Sequence, residues 1–172
     1  MLRVLQGISL IAATMTAGMM AGVFALFFHT VMPGLGRTDD RTFVGAFQAI
    51  DRAIINGWFM VTFLGALLFS GLAAALNLTE DQRQVLPWVV AAVVGYLVTF
   101  VITIAINVPL NDAIKAAGDP DQIADLAGVR SHFDEGRWAA WNLVRTVTST
   151  VAFGCLAWAL VQFGRAVEAA GA

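Results

Sequence analysis

The chain has 172 residues, 59% of them hydrophobic and 13% charged, and its mean hydropathy of +0.76 is more than a water-soluble core of this size absorbs. With 10 basic and 12 acidic residues the formal charge is −2, which excludes an electrostatic nucleic-acid partner. The single cysteine, Cys155, excludes an internal disulfide and any multi-cysteine metal centre.

The pattern predicts an all-α fold: one domain over residues 1–172, a membrane-embedded four-helix bundle with short helices in two of its loops. Its spans are the apolar stretches Val4 to His29, Ala53 to Leu76, Trp88 to Val108 and Trp141 to Phe163. Each is near the roughly 20 residues that cross about 30 Å of hydrocarbon. The first exceeds the roughly 7 to 15 apolar residues of a signal peptide and no small-residue cleavage site follows, so it is expected to be an uncleaved membrane helix. Four spans put both termini on one side. The loops Thr30 to Arg52 and Leu110 to Ala140 share the other side, the loop face. Glycines such as Gly18 and Gly22 in the first span, with Gly65, Gly71, Gly95 and Gly154 in the others, favour close helix packing within the chain.

Between Thr42 and Asn56, Phe43, Phe47, Ile50 and Ile54 recur at helical spacing, predicting an amphipathic segment that leads into the second span. Pro109, in the run Asn107 to Asp112, is expected to end the third helix. Asp119, Pro120 and Gln122 read as the start of a short helix that Gly128 terminates. Ser131 with Asp134 and Glu135 reads as the start of the fourth helix, which enters the membrane near Trp138 or Trp141.

Polar residues gather at the loop-face ends of the spans: His29, Asn56, Asn107, Asn111, Asp112, Asn142 and Arg145. Trp138, Trp141, Asn142, Arg145 and Ser149 fall along one stripe of the fourth helix. An arginine inside a span costs at least about 2.5 kcal/mol at the centre, so Arg145 is expected to have a partner, with Asp112 the first choice, or to line water. Four helices are thus expected to converge on one polar pocket.

Asn107 to Asp112 followed by Trp138, Trp141, Asn142 and Arg145 resembles the bacterial branch of the anthrone oxygenase family, also described as DUF1772 membrane proteins. Phe24 through Leu35, Gln48 to Ile50, and Asn56 to Met60 are similar to that family too, so the resemblance covers essentially the whole chain. It implies a cell-membrane oxidoreductase, a monooxygenase that oxidises anthrones to anthraquinones with molecular oxygen and no dedicated cofactor. Such chemistry needs an apolar pocket for a flat aromatic molecule, a base for an activated C–H proton, and a stabiliser for the enolate. The resemblance assigns the base to His29 or Asp112 and the stabiliser to Arg145 with Asn142. The substrate walls are Trp138, Trp141 and Trp58, with Asn107, Asn111 and Asn56 as polar contacts.

No tight ligand spacing supports a metal site; the scattered candidates are His29 and His132, beside Asp112, Asp134 and Glu135. The expected partners are membrane lipids and a small hydrophobic molecule. A non-catalytic lipid- or quinone-binding accessory protein stays open as the alternative reading, and a small multimeric transporter as a third. The excess of arginine and lysine on the loop face predicts that this face is cytoplasmic.

Overall fold

A computed structural model describes residues 1–78 and 83–171 of the chain. Among the described residues there is no strand, and the helices are α1 (Leu2–Leu26), α2 (Met32–Leu35), α3 (Asp40–Ile54), α4 (Gly57–Leu76), α5 (Leu86–Ile102), α6 (Val108–Ala116), α7 (Leu126–Phe133) and α8 (Glu135–Gly171). Four helical paths, Leu2–Leu35, Gly57–Leu76, Leu86–Ala116 and Leu126–Ala169, are long and apolar enough to cross a membrane. The fold is a membrane helical bundle.

Small side chains set how closely the spans approach. α1 packs between α4 and α8, and α5 closes the ring against α8 and, less closely, against α4. The core at this level is built from Leu10, Ala13, Ala17, Met20, Phe63, Ala66, Ala92, Tyr96, Ala152 and Leu156. At Gly95 a Cβ would lie 3.3 Å from the Thr148 carbonyl oxygen, so only glycine lets α5 approach α8 this closely. Thr99 and Thr148 share a 2.7 Å hydrogen bond across the same contact. Gly18 is packed against the ring of Phe153, whereas a Cβ at Gly22 would meet nothing within 4 Å. The buried Tyr96 hydroxyl donates to the Phe63 carbonyl at 3.0 Å, tying α5 to α4. Leu68, Val94 and Val151 lie exposed on the outer surface, as they can where the solvent is lipid.

Two spans do not end where their prolines predict. Phe27–Val31 joins α1 to α2 as a π turn, and Thr103–Asn107 joins α5 to α6 in the same way. Met32 N–H bonds to the Phe27 carbonyl and Val108 N–H to the Thr103 carbonyl, each five residues back. Pro33 and Pro109 directly follow those residues. In α geometry a proline ring clashes with the carbonyl four residues back; the wider turn relieves the crowding and lets the helical path run on to Leu35 and Ala116. Pro109 is therefore not the expected terminator.

The loop-face loops fold into a cap with its own core of Met32, Phe43, Val44, Phe47, Ile114, Phe133 and Trp138. α3 begins at Asp39, whose side chain accepts from Thr42 N–H at 3.0 Å and from the Thr42 hydroxyl at 2.7 Å. These two bonds hold the Asp39 carboxyl below its ordinary value. Arg130 clamps the cap, donating to the Thr38 carbonyl and Asp40 at 3.0 Å, and to the Gly36 carbonyl and Glu135 at 3.1 Å.

The cap's helices start later than expected. The turn at Asp119 and Pro120 does not propagate; α7 starts after Asp125, whose side chain accepts from Gly128 N–H at 2.8 Å, so Gly128 lies in the first turn and not at the end. Asp134 takes the left-handed conformation, φ 54°, and breaks α7 from α8. Its carboxylate accepts from Arg137 N–H at 3.1 Å. Asp134, and not Ser131, starts the fourth long helix.

Candidate functional site

Where the cap meets the bundle, a cavity of about 300 Å³ lies among α1, α3, α4, the second π turn and α8. Phe24, Phe27, Phe47, Phe59 and Phe63 supply its aromatic lining, and Trp138 completes it. Its polar lining is Asp51, Thr103, Asn107, Asn111, Asn142 and Arg145. The second π turn presents Thr103 and Asn107 inward, both buried.

Arg145 is the cavity's cation, with 5% of its surface exposed. Its guanidinium donates to Asn142 Oδ1 at 2.9 Å and to Thr103 Oγ1 at 3.3 Å. The guanidinium carbon lies 4.7 Å from the Phe24 ring centre and 5.3 Å from that of Trp138, within cation–π range. Arg145 Nε has no hydrogen-bond partner. Among the described residues no carboxylate pairs with it. The expected ion pair with Asp112 does not form. Asp112 follows Asn111 by one residue, which turns it about 100° around the helix; its side chain is 62% exposed and pairs with Lys115 at 3.0 Å.

The cavity's carboxylate is Asp51, buried on α3. Asn111 Nδ2 donates to its Oδ1 at 2.6 Å and Lys115 Nζ lies 2.7 Å from its Oδ2. From the other side Trp138 Nε1 donates to Asn111 Oδ1 at 2.7 Å. Asp51, Asn111 and Trp138 thus form a chain linking α3, α6 and α8. Asn107 Nδ2 donates to the Trp138 carbonyl at 3.2 Å, while Asn107 Oδ1 has no partner. Asn142 Nδ2 donates to the Phe24 carbonyl at 3.0 Å, so both ends of that amide are engaged.

Of the residues expected from the sequence, Asn107, Asn111, Trp138, Asn142 and Arg145 come together in the cavity lining. The others stand apart. His29 is exposed in the first π turn, bonded through Nδ1 to the Thr30 hydroxyl at 2.6 Å. Asn56 caps α4, accepting from Phe59 N–H at 3.1 Å. Trp58 is 85% exposed and Trp141 36%. His132 is exposed on α7. Among the described residues no three His, Cys, Asp or Glu side chains converge as a metal site would require.

Asp51, Phe24, Phe27, Phe63, Thr103 and Lys115 were not anticipated. One signal for Asp51 was present in the sequence: it lies four residues after Phe47 and seven after Val44, on the buried face of an amphipathic helix. The family model for anthrone oxygenase matches residues 56–155. That stretch contains Thr103, Asn107, Asn111, Trp138, Asn142 and Arg145, while α1 and Asp51 precede it. No curated protein and no solved structure gives a significant match.

Proposed function

This chain belongs to the anthrone oxygenase family, and on that premise we propose that it is a cell-membrane oxygenase acting on a flat, apolar, anthrone-like carbon acid in the cavity beneath α3. The observation that carries this reading is Arg145, a buried cation with no carboxylate partner, one free N–H and two aromatic rings beside it. A buried charge left without a counter-ion is costly. An anion formed in the cavity supplies the missing charge.

The chemistry divides between two groups. The Asp51 carboxylate takes a proton from the activated C–H, and the released electron pair moves into the ring system as an enolate. The enolate oxygen is held by Arg145, in a setting where fixed donors outperform water because they need no reorganisation. Dioxygen then adds at the carbon and the peroxide collapses: a CH₂ becomes a C=O and the second oxygen leaves as water. Asn142 acts as a positioning residue, because both ends of its amide are already engaged with Phe24 and Arg145. Asp51 fits the role of base because it and Arg145 are the only ionisable side chains in the lining. Lys115, paired with both Asp51 and the exposed Asp112, offers the proton a way out to the loop face.

The test is oxygen uptake by the purified protein in lipid nanodiscs supplied with anthrone, with product identified by absorbance. Anthraquinone formed well above the spontaneous rate, and lost in Arg145→Gln, supports the reading. Saturable anthraquinone binding with no uptake above background replaces it with a ligand-binding accessory protein.

A further inference from the structure

The lining of the cavity divides by exposure. Four lining side chains are exposed: Ile55 at 59%, Met60 at 37%, Ile104 at 53% and Val108 at 39%. All four are apolar. The polar lining is buried except for Asn111, which is half-buried. Met60 lies in α4 and Ile104 in the second π turn, both within stretches that cross the membrane. Over the cavity, Phe43, Phe47, Ile114 and Phe133 are at most 2% exposed and form part of the cap's core. Of the neighbouring spans, α4 and α5 pack least closely.

We propose that the cavity opens sideways into the bilayer, through a window between α4 and the π turn of α5, and that its ligand reaches Arg145 from lipid and not from water. An opening onto water would be rimmed by polar side chains, whereas this rim is matched to acyl chains. The ligand is then a molecule dissolved in the membrane: its apolar body crosses the rim, and a single acidic oxygen is met at the buried end by Arg145. Naming that molecule as a flat aromatic rests on the oxygenase reading. The window itself does not.

The test needs no substrate. Thr103 lies in the lining beside Arg145, so Thr103→Cys with Cys155→Ala puts one thiol inside the cavity. In proteoliposomes its alkylation is followed with N-phenylmaleimide, which partitions into lipid, and with a charged, membrane-impermeant maleimide. The expected result is rapid reaction with the first and little with the second. Adding Met60→Trp and Ile104→Trp, both at lipid-exposed positions, slows N-phenylmaleimide by about tenfold or more because a bulky side chain must now move aside for entry. Gly22→Leu, in the shallow groove between α1 and α4 where a new side chain meets open space, leaves the rate unchanged.

Equal reaction with the charged reagent overturns the proposal in favour of entry from water. No reaction with either reagent overturns it too, since the window is then closed or covered by a second copy. A rate slowed by Gly22→Leu and not by the two tryptophans moves the entrance to the other side of α4. Should the window test succeed while anthrone turnover fails, the lateral route stands and the oxygenase reading falls.

Discussion

Asn142 and Arg145, one turn apart on α8, are joined by a 2.9 Å hydrogen bond from guanidinium to amide oxygen, while the same amide's nitrogen donates to the Phe24 carbonyl on α1. One side chain therefore fixes the cation and ties two spans together. Replacing it with leucine leaves the Phe24 carbonyl and one guanidinium N–H without partners, a loss of about 1–3 kcal/mol. A double-mutant cycle of Asn142→Leu with Arg145→Met, read by thermal unfolding in detergent, is expected to give a coupling of about 0.5–3 kcal/mol. Additive effects would mean that Asn142 does not orient Arg145.

Arg145→Met is expected to keep the melting temperature or raise it, by up to about 2 kcal/mol of stability, because an apolar side chain of similar length replaces a buried charge without a counter-ion. The same variant loses anthrone-dependent oxygen uptake. A protein stabilised and inactive at once is the signature of a charge kept for the ligand. Severe destabilisation by Arg145→Met would instead make the arginine a structural element.

Asp51→Asn removes the proposed proton acceptor while keeping an oxygen beside Asn111, and Lys115 retains Asp112 as its partner. Turnover is expected to fall about 10²- to 10⁴-fold, the usual contribution of a positioned base. Affinity for anthraquinone, measured by fluorescence titration, stays within a few-fold. Turnover unchanged in this variant would remove Asp51 from the mechanism.

The start of α3 carries a pH dependence. Asp39 accepts two bonds from Thr42, which lower its pKa. The folded protein therefore binds its proton less readily than the unfolded chain does, so the cap's contribution is present above the unfolded value and lost as pH falls through the lowered folded one. Asp39→Asn keeps a capping oxygen without a titrating group. Melting temperatures of the two proteins measured through the acid range are expected to converge as the pH falls. A constant difference would show that Asp39 contributes nothing through its charge.

The four spans were legible because a run of about 20 apolar residues has few fates other than crossing a bilayer. Arg145, Asn142 and Trp138 were legible because they share a helical stripe and a polar side chain in lipid demands an explanation. Asp51 was obscured by its surroundings: Arg52 and the other polar residues of α3 make it look like part of a solvated face. His29 and Asp112 misled for a geometric reason. Both stand at the right depth, but depth does not fix azimuth. Phe27 and Asn111 take the inward positions, leaving His29 and Asp112 outside the lining. No feature of the sequence announced the π turns, since apolar residues serve four-residue and five-residue hydrogen bonding alike; the prolines two residues beyond them read more readily as stops.

Each π turn is in effect one residue inserted into a helix. Removing one residue from Thr103–Asn107 would restore an ordinary helix and rotate everything after it by about 100° relative to everything before. Asn111 would then swing off Asp51 while Thr103 stayed against Arg145. The two halves of this site, cation and carboxylate, are thus phased against each other by chain length alone. A single-codon deletion would uncouple them, although every residue that makes a polar contact in the cavity would still be encoded.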